Sequence, residues 1–304
     1  MQIRVLGSAA GGGFPQWNCN CPRCRDARTD KLASEWRTQS SIAVSADHEN
    51  WLLVNASPDI RAQILATPEL QPARGSRDSA ITAVVLMDSQ IDHVTGLLML
   101  RESAYPLPIY CSERVEEDLR TGFPILEILE HYCGTRVHNL ALDGQSMESP
   151  GAPGVRFTPV PLTSKAPPYS PHRADPQPGD NLGLMLEDRQ TGASAFYAPG
   201  LGEMEPHLHR WMASADVLLV DGTTWTDDEM QRTVDGRKTA REMGHLPQDG
   251  PGGMIEQLRR YPRGRRILIH INNTNPILDP DSQQRARLVE EGIEVSYDGM
   301  VIDL

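Results

Sequence analysis

The sequence predicts an α/β protein, an αββα sandwich of two mixed β-sheets packed face to face and flanked by helices. Short runs rich in Val, Ile and Leu recur along the 304 residues, each of strand length and separated by turn formers. The first runs follow one another closely. Later ones alternate with stretches of helical spacing, as expected when sheets stack in layers with helices outside. The expected strands are Ile3–Leu6, Ile42–Val44, Trp51–Val54, Ile81–Met87, Val155–Val160, Leu182–Leu186, Ala195–Ala198, Val217–Val220, Arg266–Ile271 and Ile293–Ser296. β-Branched and aromatic residues pack well on a pleated surface, which is why these runs read as strands. The expected helices are Ile60–Ala66, Val115–Thr121, Pro124–Tyr132, Met204–Met212, Met254–Tyr261 and Asp281–Glu291. A further helical stretch, Val94 to Glu102, carries Leu97, Leu98 and Leu100. Pro167–Asp180, with prolines at 167, 168, 171, 176 and 178, is the one long loop, and such loops often close over sites. No internal repeat is visible, and the whole chain, 1–304, reads as one domain with a Cys-rich loop at 17–25.

Composition narrows the function classes. A net charge of −12, spread along the chain without a basic patch, speaks against nucleic acid or an anionic membrane as partner. The first residues, Met-Gln-Ile-Arg-Val-Leu-Gly, read as a strand rather than a signal peptide, and no apolar run approaches the roughly 18 residues of a membrane span. A cytoplasmic location is therefore expected. Three of the five cysteines crowd into Cys19–Cys24, which does not suit a disulfide framework.

The run Asp88-Ser-Gln-Ile-Asp-His-Val-Thr-Gly-Leu97, at the end of an expected strand, carries the most chemistry. It resembles the His-x-His-x-Asp-His loop of the metallo-β-lactamase superfamily, which implies a metallo-β-lactamase-like fold. Asp88 and Gln90 stand at the two leading His positions, while Asp92 and His93 keep the trailing pair. Hydrolases of that superfamily use the two pairs to hold two metals, so loss of the first argues against a two-metal site. The other ligand positions point the same way: Ser164 stands where a further His is usual, and Phe196-Tyr-Ala-Pro-Gly200 lacks the bridging carboxylate. His270 supplies the final His.

What remains is Asp92, His93 and His270. Two imidazoles and one carboxylate form the facial set that non-haem Fe(II) oxygenases use, leaving positions open for oxygen and substrate. Zinc also binds such sets, so ligand type alone does not choose the metal. The plain alternative is that Asp92 caps a helix and His93 is a core histidine. Asp221, at the end of a strand, is either a fourth ligand, a partner of a metal-bound His or the start of an Asp-Gly turn. His245, in Met243-Gly-His-Leu-Pro247, stands where related phosphodiesterases keep a general acid, or else is a surface-loop histidine. Asp88 and Gln90 are read as hydrogen-bonding substrate or water in place of the lost metal, Asp88 equally as a capping or loop residue. Lys165, Tyr169 and Arg173, on the Pro-rich loop, are candidates for holding substrate carboxylates, or else solvated loop residues.

Cys19, Cys21 and Cys24 can wrap one soft cation, and the reading is a structural Zn(II) site whose fourth ligand is not legible. A redox pair of Cys21 and Cys24 is the alternative. Related metallophosphodiesterases close such a site with a His at the position of Asn273. Cys111 and Cys133 read as buried small side chains. Gly7-Ser-Ala-Ala-Gly-Gly-Gly13 lacks the ending of a phosphate loop and reads as a tight turn beside the site.

Long stretches together identify a family. Gly7–Cys24, Asn55-Ala-Ser-Pro-Asp59, Asp88–Leu97, Ser164–Pro171, Asp221-Gly-Thr-Thr224, Met243–Pro247 and His270-Ile-Asn-Asn-Thr-Asn-Pro276 resemble the pyrroloquinoline quinone (PQQ) biosynthesis B family. The resemblance implies an Fe(II)-dependent hydroxylase. Its substrates would be O2 and a small molecule, the cross-linked Glu–Tyr precursor, oxidised on the tyrosine ring. An older reading of the family is a carrier that helps PQQ or its precursor reach the periplasm, and a degenerate metallohydrolase is a third. A homodimer is left open.

Overall fold

The computed structural model describes residues 1–234 and 236–304. Its strands, in chain order, are β1 (Gln2–Gly7), β2 (Ser41–Ser45), β3 (Trp51–Val54), β4 (Ile81–Val85), β5 (Leu107–Cys111), β6 (Thr135–Asn139), β7 (Met147–Glu148), β8 (Val155–Pro161), β9 (Leu182–Asp188), β10 (Ser194–Ala198), β11 (Val217–Asp221), β12 (Arg265–Ile269), β13 (Ile293–Val295) and β14 (Val301–Asp303). They form two seven-stranded sheets, ordered β14-β1-β2-β3-β4-β5-β6 and β13-β12-β11-β10-β9-β8-β7. Both are mixed. In the first, β3 through β6 run parallel while β14, β1, β2 and β3 pair antiparallel. In the second, β10 through β13 run parallel while β7 to β10 pair antiparallel.

Side-chain alternation builds the four layers of the expected αββα sandwich. On β3, Leu52 and Val54 join the core between the sheets, whereas Trp51 and Leu53 face the outer layer of the first sheet. On β11, Val217 and Leu219 point inward and Leu218 and Val220 outward. Strands covered on both faces are apolar at every position, which is why these runs stand out in the sequence. The strands that sequence patterning misses lie mainly at the sheet margins. β6 is an edge strand with no fully buried residue, and β14 is a short edge with only Ile302 buried. β5 is an interior strand, hidden in the sequence by the proline at its second position.

The expected helices form, Ile60–Ala66 with the expected bounds, the one expected at Val115–Thr121 starting earlier at Glu113 and the others trimmed at one or both ends. Glu113–Arg120 begins where Ser112 accepts a hydrogen bond from the Val115 amide (3.2 Å), and Gln283–Glu290 where Ser282 accepts one from Arg285 (3.1 Å). The stretch expected at Met204–Met212 starts later, at Leu208, beyond Pro206. Val94 to Glu102 is not one α-helix: a single turn at Ile91–Val94 passes into a 3₁₀ segment, Thr95–Leu100. Gly96 packs so closely there that a Cβ would lie 2.1 Å from the carbonyl oxygen of Ser57. The strand expected at Arg266–Ile271 stops at Ile269, because His270 turns to a φ of 61°. Among the described residues no helix is long and apolar enough to cross a membrane.

Parallel strands deliver their C-terminal ends to one rim, where open α/β sheets gather functional groups. β4 leads to Asp88, β11 ends on Asp221 and β12 is followed by His270. The segment after His270 is held from below. The Asn275 amide donates to Gly222 O (3.0 Å), and the Thr274 hydroxyl donates to buried Glu229 (2.6 Å). Burial pushes the Glu229 carboxyl up from 4.5 to about 7, against the hydrogen bonds from Thr274 and the Trp225 amide. A folded value above the unfolded one means that stability falls as pH rises through that window, here by about 3 kcal/mol in total. Glu229→Gln removes this slope. Urea unfolding at about pH 5 and about pH 8 then shows the variant gaining on the wild type as pH rises; a flat difference would show that Glu229 ionises normally.

Candidate metal centre

The loop after β4 is built around Asp88. The Asn55 side chain accepts from the Met87 amide (3.0 Å), and Asp88 accepts from the Gln90 amide (2.9 Å), so the chain turns directly into Ile91–Val94. That turn buries His93 and leaves Asp92 partly open to a cavity. Asp92 lies inside the helix and caps nothing, which removes the capping alternative. Gly11 permits the Gly-rich turn to pack against it, since a Cβ there would sit 3.0 Å from Asp92 Oδ2.

Three imidazoles converge with matched orientation. His93 Nδ1 donates to both oxygens of Asp88 (2.8 and 2.9 Å), while its Nε2 is buried without a partner, 3.8 Å from Asp92 Oδ2. His270 Nδ1 lies 3.0 Å from the Thr223 hydroxyl, and its Nε2 is 3.6 Å from the same Asp92 oxygen. His245 Nδ1 donates to Asp221 Oδ2 (2.7 Å), and its ring stacks on His270 with centroids 5.2 Å apart. In each ring Nδ1 is held by an acceptor, so Nε2 is the nitrogen left to bind a cation, which in cationic His93 first requires loss of its proton. One ligand atom each from Asp92, His93 and His270 fall within 4.8 Å of one another, a set able to hold a cation.

Asp221, His245 and His270 also approach within that distance, but Asp221 is already saturated. Fully buried, it accepts from the Leu201 amide (2.9 Å), the Thr223 amide (2.9 Å), the Thr223 hydroxyl (2.6 Å) and His245. Of the alternatives open from sequence, partner of a histidine fits, and that histidine is His245. Asp88 lines the cavity, and both its oxygens face His93 Nδ1. Gln90 lines the cavity and donates to Lys165 O (3.2 Å). Ser164 and Gly200, at the places of a missing His and carboxylate, also line it.

Charge is balanced tightly. Burial disfavours the charged form of His93, but the Asp88 and Asp92 carboxylates outweigh it and raise the imidazole to about 9. Burial alone would raise Asp92; cationic His93 and the His270 contact hold it well below the usual carboxylate range. Burial pushes His270 down, with the other two histidines adding to it. His245 is raised, Asp221 overcoming its desolvation.

The cavity above these groups measures about 280 Å³. Lys165 and Arg173 line it as expected. Tyr169 does not: its hydroxyl donates to Ser89 O and its ring packs against Phe123. Thr223, Asn181 and Lys238 are lining residues that sequence reasoning missed. Thr223 lies inside the Asp221-Gly-Thr-Thr224 stretch, so its place in the motif was the available signal. A wider depression of about 560 Å³ lies around Ala193, Asp216 and Val217, at the opposite strand ends, and has no His or Cys in its wall.

Cys19, Cys21 and Cys24 bring their sulfurs within 4.8 Å of one another, beside the start of the helix Pro22–Arg28. A hydrogen bond from Cys21 lowers Cys24 to about 7, and giving that proton raises Cys21. The Asn273 amide lies 3.3 Å from Cys24 Sγ and 4.0 Å from Cys21 Sγ, so it stands beside the cluster. Arg23 donates to Thr274 O (2.8 Å), which ties the cysteine loop to the segment carrying His270.

Comparison with known proteins agrees with this architecture. Residues 50–271 match the model of the beta-lactamase superfamily domain. The chain is 59% identical to the coenzyme PQQ synthesis protein B of Methylococcus capsulatus over 304 residues, covering all of both chains. It is likewise 59% identical, over the full length of both, to the protein of that name from an Azoarcus species. The crystal structure of Zn(2+)-bound PqqB from Methylobacterium extorquens superposes with a TM-score of 0.90 at 39% identity, again covering both chains completely. With its sheets, its rim of histidines and these full-length matches, the chain belongs to the coenzyme PQQ synthesis protein B family within the beta-lactamase superfamily.

Proposed function

We propose that the protein acts in PQQ biosynthesis as an Fe(II)-dependent oxygenase that hydroxylates the tyrosine ring of the cross-linked Glu–Tyr precursor. The names of its full-length relatives support the pathway. The observation that carries the chemistry is the unpartnered, buried Nε2 of His93 facing Asp92 and His270. An Nε2 held in that position, with Nδ1 fixed by a carboxylate, is the arrangement of a metal-ligating histidine once a metal displaces its proton. Asp92, His93 and His270 would hold one ion, and Ser164 and Gly200 leave the second site of the hydrolases without donors. Bound there, a ferrous ion supplies oxygen activation with open positions for oxygen and substrate.

The chain's own residues do the rest. His245, its Nδ1 fixed on Asp221, presents Nε2 to the cavity and takes the phenol proton, and the carboxylate of Asp221 stabilises the imidazolium so formed. Asp88 keeps His93 in the tautomer that offers Nε2. One oxygen atom enters the ring, the other leaves as water, and an external reductant supplies two electrons. We assign zinc to Cys19, Cys21 and Cys24, where sulfur donors suit a soft ion; that a solved relative is zinc-bound supports zinc binding in the family. Cys24→Ser is expected to lower bound zinc from one equivalent to below half, with iron content kept, by elemental analysis. Zinc content unchanged in that variant would place it elsewhere.

The deciding assay is oxygen uptake by anaerobically Fe(II)-loaded protein, with ascorbate, on adding the cross-linked diamino acid. Uptake with a product heavier by oxygen is expected, and none with an analogue lacking the phenol. Iron-loaded protein that consumes no oxygen would exclude the oxygenase and favour the carrier reading, tested next by PQQ binding.

A further inference from the structure

We propose that Lys165, Arg173 and Lys238 form a cationic rim that selects a polycarboxylate, with Asn181 supplying a further donor. The identity of the natural ligand rests on the oxygenase reading; the rim itself does not. The chain has only three lysines, and two of them, Lys165 and Lys238, line the cavity, as does Arg173. In a protein of net charge −12, that is a local reversal of sign. Elsewhere Arg4, Arg120, Arg259 and Arg287 each face a carboxylate. The rim cations are held differently. Lys165 Nζ donates to the main-chain oxygen of Glu242 (2.8 Å), and Arg173 to that of Ala166. Neutral acceptors fix these side chains without cancelling their charge, and each retains N–H donors to spare.

Their placement adds to this. The bond to Glu242 brings Lys165 to the short helix Ala240–Met243, whose preceding turn carries Lys238. Like charges around one cavity repel unless an anion lies between them. The two carboxylates that line the cavity do not serve, because Asp88 is turned onto His93 and Asp92 belongs to the metal set. Asn181 is 5% exposed, lines the same cavity, and its Nδ2 has no acceptor among the described residues. A buried amide donor without a partner suits a ligand oxygen. The cross-linked Glu–Tyr diamino acid carries three carboxylates, the two α-carboxylates and the Glu side chain, beside two α-ammonium groups, so each carboxylate has one cation of the rim to meet.

The test is calorimetric titration of the Zn(II)-loaded protein, which cannot turn over, with trimesate, a benzene tricarboxylate, and with benzoate as the single-charge comparison. Trimesate is expected to bind, more weakly at high salt, and benzoate to bind far less. Lys165→Met and Lys238→Met should each weaken trimesate by about ten-fold, the usual scale of a charge-assisted hydrogen bond. Lys31→Met, which removes the third lysine away from the cavity, should bind as wild type. Unaltered melting temperatures show that the variants fold. Equal binding of benzoate, or wild-type trimesate affinity in the Lys165→Met Lys238→Met double variant, overturns the rim. The two readings fail separately: trimesate binding lost in the variants with no oxygen uptake by iron-loaded wild type sinks the oxygenase alone. Hydroxylation by Lys165→Met with an unchanged KM sinks the rim alone.

Discussion

His93→Ala is expected to abolish iron binding and hydroxylation together. The substitution removes an Nε2 that is buried beside Asp92 without a hydrogen-bond partner among the described residues, and it leaves Asp88 facing an empty space. Losing a ligand should weaken iron by more than about 100-fold, since even the partners that orient a ligating histidine are worth about 10- to 100-fold. Asp88→Asn provides the graded comparison. Its amide oxygen still accepts from Nδ1, but the charge that polarises the ring is gone, so affinity should fall by about 10- to 100-fold with the fold intact. His270→Ala should match His93→Ala. Iron content after dialysis and oxygen uptake, measured on the same samples with circular dichroism to show folding, decide the matter. Hydroxylation retained by an iron-free His93→Ala protein would falsify the assignment.

Asp221→Ala is expected to give the largest loss of stability of any single change at the rim, about 3–5 kcal/mol. Its carboxylate is fully buried and satisfies four donors from three segments: Leu201, Thr223 through both amide and hydroxyl, and His245. Truncation strands all four at once, and stranded buried donors are costlier than the net worth of the bonds they made. With total stabilities commonly about 5–15 kcal/mol, such a loss lowers the urea midpoint of the metal-free protein steeply. Asp221→Asn should fall between, because one amide group then meets a donor. A change below about 1 kcal/mol would mean that water replaces the carboxylate and that Asp221 does not hold the rim.

Much of this arrangement was open to reading before the fold was known. Strands such as Trp51–Val54 and Val217–Asp221 announce themselves because both faces are buried, so every position is apolar. Edge strands are not legible in that way: Thr135–Asn139 needs no apolar face, and its pairing with β5 is made by main-chain groups that any sequence supplies. At the site, Asp92, His93 and His270 could be named from residue type and position in a motif. The orientation of Asp88 could not, since an aspartate two residues before a glutamine suits a turn, a substrate contact or a histidine partner equally. Tyr169 illustrates the same limit, as its hydroxyl meets Ser89 only because the Pro-rich loop folds down over that segment.

The sequence by itself determined the layered α/β class, the lack of histidines at positions 88 and 90 and the identity of the donor residues Asp92, His93 and His270, because these follow from periodicity and from which donor atoms a side chain possesses. Only the tertiary structure decided which nitrogen of each histidine is held by a partner, that Asp221 accepts from His245, that Asn273 stands at the cysteine cluster, and that Lys238 joins Lys165 and Arg173 around one cavity. Those facts depend on residues tens to hundreds of positions apart meeting within hydrogen-bond distance, and distance in space is set by the packing of the two sheets, not by any local pattern in the chain.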